Sequence, residues 1–600
     1  MCGIVGYVGN RHAAPILMDA LRRLEYRGYD SVGITTIFKK FHVKKDEGRI
    51  DEVGRKLKLG DMPGNLGIGH TRWATHGEPS RINAHPHLDN AGKISVVHNG
   101  IIENYLELRK FLYKHGYHTV SKTDTELIPN LISYFMRGSK TLEEGVRKTA
   151  KTLRGSFALA IVSSNEPDKI IAVRKDSPLV VGLGKGEMFL ASDALALLQH
   201  TKEVVILENG EMATLSPEKL VVKNFTSGAS VKKRPLELRW TAEMARKSGY
   251  PHFTLKEIFQ QPEAVRDTLR AAPSELKSLA GFILGAKRIY LVACGSSAHA
   301  ALVAKHALIK LANLPVEVVI SSEFREACKF TGETRVLAIT QSGETADTLK
   351  AVEAARTSGA KVASLTNVVD SSITRVSDLV CYTHAGPEIS VVATKTFAAQ
   401  VAYLLLLIVY IARRKGLSKG RFNELIKRLK SLPDVAHALL VKAEPQVKKL
   451  AKYHQNSQNI YLIGRGIGLP IVLEGALKLK EITYIHSEGM AAGELKHGTL
   501  ALIEKGTPVI AVVSPGENRA KMVGNIEEVK ARGAKIIAIA ENDSDLKEHD
   551  YELISVPHIE ELLSPLLYII PLQLLAYYMT VEKGHDPDRP RSLAKSVTVE

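Results

Sequence analysis

The second residue of the chain is a cysteine followed by glycine, in MCGIVGYVG, so removal of Met1 exposes Cys2 as the first residue. An N-terminal cysteine carries a nucleophile and a base on one residue. Its α-amino group titrates near about 7.7–8.0 and can accept the thiol proton at neutral pH. The competing reading is a cysteine that merely begins a strand. The segment HTRWATHG (70–77) places an arginine, a tryptophan and two histidines at one strand end. HNG (98–100) follows the apolar run KISVV and offers the Asn99 amide and the Gly100 N–H as an oxyanion hole. Asp124, in SKTDTE, sits at a helix start, where it is either an N-cap or a ligand-binding carboxylate. Arg72 and Asp124 carry charges complementary to the carboxylate and ammonium of an α-amino acid. His70, His76, His85 and His87 show no carboxylate-supported ligand spacing, and no metal is expected.

A second set of chemical groups lies far downstream. CGSS (294–297) follows the apolar run RIYLVA, and QSGET (341–345) follows VLAIT; each precedes a helical pattern. Small hydroxyl side chains and backbone N–H groups at a helix N-terminus suit a phosphate dianion, although either loop alone could be an ordinary Ser/Thr helix cap. EGALKLKE (474–481) puts Glu474, Lys478 and Glu481 at i, i+4 and i+7, on one helix face. That face is either a solvated salt-bridge stripe or a site for proton transfer.

These groups need elements to hold them. The first ~220 residues alternate short β-like runs with two helical patterns, near 12–26 and 124–136, which suggests stacked sheets flanked by helices. From about 217 to 255 the pattern weakens into a linker. Beyond it, short apolar runs alternate with longer helical segments, the signature of βαβ units and a parallel sheet. This half is duplicated. RIYLVACGSSAHAALVAKHAL (288–308) matches NIYLIGRGIGLPIVLEGALKL (459–479), VLAITQSGET (336–345) matches IAVVSPGEN (510–518), and SGAKVASLTN (358–367) matches RGAKIIAIAEN (532–542). The second copy is poorer in hydroxyls at the matching loops, as expected after duplication and division of labour.

With 600 residues, the chain calls for about three or four domains. Its 45% hydrophobic and 24% charged residues exclude a fibrous repeat and extensive disorder. The apolar run 401–412 is too short to span a bilayer, and 562–579, interrupted by Pro565 and Pro571, reads as a buried helix, so no membrane association is expected. The net charge of +17 is dispersed, with Lys232-Lys233-Arg234 the densest group. No zinc-finger, basic-zipper or RNA-binding signature accompanies it, so a basic surface favouring anionic metabolites is expected rather than nucleic-acid binding. Four widely spaced cysteines and no signal-peptide pattern point to the cytoplasm.

Taken together, MCGIVGYVG, LEYRGYDSVG, GHTRWATHG, NAHPH, HNGIIENY and SKTDTE resemble the class II glutamine amidotransferase domain, and the duplicated half resembles paired sugar-isomerase domains. Their combination, through the ending RSLAKSVTVE, resembles the isomerising glutamine:fructose-6-phosphate amidotransferase family over essentially the whole chain. The resemblance implies an α/β and α+β multidomain protein: an N-terminal-nucleophile hydrolase αββα sandwich followed by two duplicated parallel-sheet α/β sugar-isomerase domains. It implies a glutaminase domain at 1–217, a linker at 218–255, isomerase domains at 256–425 and 426–590, and a catalytic tail at 591–600. Cys2 matches the nucleophile, Asn99 and Gly100 the oxyanion hole, and Arg72, Trp73, Thr75, His76 and Asp124 glutamine recognition, with Trp73 also gating an ammonia passage. Arg27 matches a further glutaminase-site position.

In the other half, Ser296, Ser297, Thr340, Gln341, Ser342, Thr345 and Val391 match sugar-phosphate contacts. Glu481 matches the base between sugar carbons 1 and 2, Lys478 a neighbouring active-site lysine, His497 the ring-opening residue, and Lys595 the lysine forming an imine with the open-chain ketose. The tail offers Leu593, Val597 and Val599 as anchors. Ala393 stands where relatives commonly carry serine, and Thr499 where proline is usual. The implied activity moves glutamine's amide nitrogen onto fructose 6-phosphate and isomerises the product to glucosamine 6-phosphate, the first step of hexosamine synthesis. No cofactor is implied, and a homodimer is expected. Amidotransferases acting on phosphoribosyl pyrophosphate or aspartate need loops that are absent here, and a sugar-phosphate sensor without turnover would have lost Cys2, Glu481 or Lys595.

Overall fold

In a computed structural model, residues 2–74, 76–139, 141–238, 247–541 and 551–598 are described. The chain forms two compact units, Met1–Arg246 with Ala594–Glu600, and Lys247–Leu593.

The first unit has two sheets. An eight-stranded sheet runs in the order Leu236–Glu237, Glu203–Ile206, Val180–Gly184, Glu187–Ala191, Gly3–Val8, Leu66–Arg72, Ser31–Phe38, Lys40–Glu47. A six-stranded sheet runs Leu220–Asn224, Glu211–Leu215, Glu166–Lys175, Gly155–Ser163, Ile94–Ile102, His87–Leu88. All pairings are antiparallel. The strand Gly155–Ser163 shows why the sheets stack. Its side chains alternate between faces. Ala158, Ala160 and Val162 join a core with Ile4, Ile68 and Val181 of the other sheet. Phe157, Leu159 and Ile161 join Leu127, Leu131, Leu142 and Val146 of the helices Leu127–Met136 and Leu142–Thr152. The helix Ala13–Leu24 covers the outer face of the eight-stranded sheet. The layers are therefore α, β, β, α.

Several expectations change here. Helices Ile50–Leu57, Tyr105–Lys114 and Leu142–Thr152 add to the two foreseen. The stretch read as a linker from 218 contains the strands Leu220–Asn224 and Leu236–Glu237, and the next helix begins at Phe253. Leu220–Asn224 pairs with Glu211–Leu215 as a hairpin, and its partly polar composition hid it. Of the tail's expected anchors, Val597 is 52% exposed and does not anchor, and Val599 lies outside the described residues.

The second unit holds two five-stranded sheets, every pairing parallel. One contains, in chain order, Arg288–Ala293, Glu317–Ile320, Thr334–Ile339, Lys361–Thr366 and Leu379–Tyr382; the other Asn459–Gly464, His486–Ala491, Pro508–Val513, Lys535–Glu541 and Glu552–Val556. Both have spatial order second, first, third, fourth, fifth. The duplication read from sequence is thus a duplication of topology. In such sheets ligands bind at the carboxyl ends of the first and third strands, where the winding direction reverses.

Helices Gly295–Ala312 and Gly468–Thr483, which follow the first strand of each copy, pack on each other. Helix Lys395–Arg414 is longer than its apolar run, and it and the helical stretch Glu561–Glu582 are both long and apolar enough to cross a membrane. Both are instead core helices here, with every residue from Thr394 to Val409 and from Pro565 to Thr580 buried. The boundary drawn between 425 and 426 falls inside the helix Lys419–His454.

Candidate active sites

Cys2 immediately precedes the strand Gly3–Val8, whose Gly3 pairs with Thr71 of Leu66–Arg72. That register carries the end of the second strand to the cysteine. The Trp73 N–H points at Cys2 Sγ at 3.2 Å, and the Asn99 amide nitrogen donates to the Cys2 carbonyl at 2.9 Å. Burial raises the pKa of the Cys2 thiol above its ordinary value, against the pull of the Trp73 N–H and the Arg72 charge. A thiol held in this way needs a base to become a nucleophile.

Asn99 reaches Cys2 from the other sheet, and a histidine fixes its amide. His70 Nε2 lies 2.9 Å from the His98 carbonyl and 3.1 Å from Asn99 Oδ1, two acceptors, so this nitrogen carries the proton. With its oxygen held, Asn99 turns its NH2 toward Cys2. Sequence reasoning considered His70 only as a metal ligand, because its acceptors come from a strand of the opposite sheet. Gly100 must be glycine: its φ is +121°, and an added Cβ would lie 2.0 Å from the Ser156 carbonyl oxygen.

Arg72 is 3% exposed and donates through Nη2 to the carbonyls of His76 and, at 2.9 Å, Gly77. Its Nη1 is buried with no partner among the described residues. A guanidinium nitrogen left open beside the thiol is a ready receptor for a carboxylate. Asp124 is not an N-cap: the following helix begins at Leu127, and the Asp124 carboxylate accepts the Ile102 N–H at 2.8 Å. Trp73 packs edge-on against Tyr29 at 5.8 Å. Arg27 is buried in an ion pair with Asp193 at 2.9 Å. His76 packs against Tyr105, and Thr75 lies outside the described residues.

Four buried histidines surround this site. His70 and His85 stack at 4.2 Å, and His85 meets His87 at 5.0 Å. Burial pushes His70 down to about 3, holds His85 and His87 well below their ordinary value, and lowers His98. Below pH ~6.5 an unfolded histidine takes a proton that these refuse, so stability falls as pH falls, down to about 3 for His70. Each such histidine removes about 1.4 kcal/mol per pH unit inside its window. Amide protection in the strand Leu66–Arg72, corrected for intrinsic exchange, should drop steeply between pH 7 and pH 5. Unchanged protection would show that the histidines do not set acid stability.

In the second unit, the CGSS and QSGET loops follow the first and third strands of the first copy, flanking its reversal point. Neither helix that follows is capped by a side chain; Ser296 points elsewhere. Its hydroxyl donates to Glu474 Oε1 at 2.8 Å and accepts from Lys478 Nζ at 3.1 Å. His299 Nδ1 lies 2.7 Å from Glu474 Oε2, a partner that sequence reasoning missed. Lys478 also meets Glu481 at 2.7 Å.

Of the two readings of this helix face, the solvated stripe is excluded for Glu474 and Lys478. The Glu474 and Lys478 side chains are 0% and 2% exposed, while Glu481 keeps 20%. Burial works against the Lys478 charge, but Glu474 and Glu481 outweigh it and raise its pKa. Burial likewise works against the Glu474 carboxylate, and Lys478 with His299 holds it below its ordinary value. Removing Lys478 alone would leave buried carboxylates uncompensated, a cost of about 3–5 kcal/mol. Glu481 is the partly open member, which suits a group that must reach substrate.

The QSGET loop is shaped from within. Thr340 Oγ1 accepts the Gly343 N–H at 3.2 Å, Ser342 Oγ accepts the Glu344 N–H at 3.1 Å, and the Glu344 carboxylate accepts the Ser372 N–H and hydroxyl, each at 2.7 Å. Gln341 and Thr345 are partly exposed at the loop, as is Ser297 in its own, and Val391 is buried. His497 is exposed at the end of the short helix Ala492–His497. Lys595 is half-buried and falls in the first unit.

A cysteine at the start of an αββα sandwich, with a duplicated reversal-point sheet on the same chain, fits a glutamine amidotransferase fused to sugar-isomerase domains. Family models agree: residues 70–199 match the glutamine amidotransferase domain, and 282–410 and 453–583 each match the SIS domain. The chain is 50% identical over 604 residues to the isomerizing glutamine–fructose-6-phosphate aminotransferase of Thermococcus kodakarensis and 46% identical over 605 residues to that of Pyrococcus horikoshii, covering 100% of each chain in both comparisons. The solved C-terminal domain of glucosamine-fructose-6-phosphate aminotransferase from Francisella tularensis superposes with a TM-score of 0.55 at 36% identity, covering 57% of this chain and 100% of that one. The chain belongs to the isomerizing glutamine–fructose-6-phosphate aminotransferase family.

Proposed function

We infer that this chain transfers the amide nitrogen of glutamine to fructose 6-phosphate and isomerises the product, giving glucosamine 6-phosphate and glutamate. The observation that carries this reading is one chain holding both an open guanidinium nitrogen beside a cysteine thiol and a Ser–Glu–Lys–Glu cluster at a sugar-isomerase reversal point. The α-amino group of Cys2, freed of Met1, takes the thiol proton. The thiolate attacks the δ-carbonyl carbon of glutamine, and Asn99 and the Gly100 N–H stabilise the resulting oxyanion. Arg72 holds the substrate carboxylate and Asp124 its ammonium, with Trp73, Thr75 and His76 completing the pocket. Ammonia leaves, and water hydrolyses the thioester to glutamate and restores the thiol.

At the sugar site Ser296, Ser297, Thr340, Gln341, Ser342, Thr345 and Val391 surround the sugar phosphate, and His497 opens the ring. Lys595 forms an imine at C2, which ammonia displaces. Glu481 then moves a proton from C1 to C2, with Lys478 stabilising the charge that develops. Ammonia is carried internally, because in bulk water it would protonate and lose its nucleophilicity. We place the glutaminase in the first unit and the isomerase in the second, and read the enzyme as a cytoplasmic homodimer that opens hexosamine synthesis without nucleic-acid or membrane partners.

Lys595→Arg tests the coupling. Guanidinium stays protonated and cannot form the imine. This variant should hydrolyse glutamine but yield no glucosamine 6-phosphate and no borohydride-trapped adduct, whereas the parent enzyme releases glutamate and aminosugar one for one. Aminosugar synthesis at the parent rate would remove Lys595 from the mechanism.

A further inference from the structure

Beside the glutamine site lies a cavity of about 420 Å³, within the size range of small-ligand sites. It is lined by Arg109, Lys122, His118, His76, Tyr105 and Tyr117 among others, and none of the described lining residues is acidic. Cys2, Arg72, Asn99 and Asp124 are not part of its wall. The decisive feature is Arg109 on the helix Tyr105–Lys114. Its guanidinium sits over the Tyr105 ring at 5.8 Å, yet Nε and Nη2 are buried with no hydrogen-bond partner among the described residues. Those two nitrogens form one edge of the guanidinium, the edge that grips a carboxylate or phosphate with two parallel hydrogen bonds. Leaving two charged donors buried and unmet is costly unless a ligand meets them.

The nearby acids are committed elsewhere. The Glu126 carboxylate accepts the Val120 N–H at 3.0 Å and the Ser121 N–H at 2.6 Å. Glu78 meets Lys122 only at 3.6 Å, with both side chains 75% exposed, a pairing that water and salt screen. Around Arg109 stand Lys122 and His118 as further donors, and the rings of Tyr105 and Tyr117 as apolar walls.

We propose that this cavity is a second anion site, sharing only His76 with the residues assigned to the glutamine pocket, which takes a small organic or inorganic anion bearing a phosphate or carboxylate gripped by the Nε–Nη2 edge of Arg109. The site stands whether or not the roles assigned to Arg72 and Cys2 hold, since it uses neither.

The test is calorimetric titration of the full-length enzyme, using inorganic phosphate in one arm and succinate in the other, with the Arg109→Gln variant titrated alongside to separate this site from the two substrate sites. The arm with the lower Kd identifies the headgroup. Arg109→Gln, which keeps a good helix former on that face, should weaken binding of the preferred anion at least tenfold. Lys122→Gln, at an exposed position, should weaken it a few-fold. The Arg109→Gln variant should keep the parent KM for glutamine in anion-free buffer. Undiminished binding by Arg109→Gln, or no saturable binding of either anion by the parent enzyme, would overturn the proposal. So would a tenfold rise in the KM for glutamine of Arg109→Gln, because the guanidinium would then serve the glutamine site.

Discussion

Cys2→Ser should abolish glutamine hydrolysis, with kcat falling on the order of 10⁴-fold or more, while fructose 6-phosphate binding stays within twofold of the parent. A hydroxyl keeps the shape of the thiol, but its far higher pKa leaves it a poor nucleophile for an α-amino base of pKa near about 8. The contacts that place residue 2, from the Trp73 N–H and the Asn99 amide, survive the exchange, so the sandwich should fold as before. The sugar-phosphate loops belong to the other compact unit. Retaining Met1 should have the same effect as the substitution, because it turns the base into an amide. Normal glutamate release by Cys2→Ser would reduce Cys2 to a strand-start residue.

Glu481→Gln should stop sugar isomerisation while glutamine hydrolysis persists. Losing a general base costs about 10²–10⁴-fold in rate. The substitution also removes one of the two carboxylates that neutralise Lys478, but Glu474, at 3.3 Å, remains to hold the ammonium. The variant should therefore fold. The readout is exchange of the C1 hydrogen of the sugar phosphate with solvent deuterium; exchange at the parent rate would assign the proton transfer to another group.

What the sequence made legible follows from where the physics is local. GSFALAIVS reads as a strand because alternate residues are apolar on both faces, and the structure buries both. Lys40–Glu47 went unread because it is an edge strand paired only with Ser31–Phe38, so charged residues such as Lys44, Lys45 and Asp46 are tolerated. The helices Ile50–Leu57 and Tyr105–Lys114 each bury only two residues, too few for a clear periodic stripe.

The duplicated half was legible as a repeat, and its reversal-point loops fell where that topology requires. Spacing left the Glu474–Lys478 face open between a solvated stripe and a site because its partners, Ser296 and His299, lie more than 170 positions away. Spacing along one helix shows which side chains share a face, not what covers that face. The same limit hid the part His70 plays in aiming Asn99, and it left Arg109 looking like any surface arginine.

The central claim is that one chain passes nitrogen from glutamine to a sugar, and the most direct measurement follows the atom. The enzyme would be given glutamine labelled with ¹⁵N in the side-chain amide, together with fructose 6-phosphate, in a buffer containing excess unlabelled ammonium. Glucosamine 6-phosphate carrying undiluted ¹⁵N at C2, formed in step with glutamate, is the expected result. Aminosugar carrying the ¹⁴N of the bulk ammonium, or glutamate release with no aminosugar at all, would contradict it.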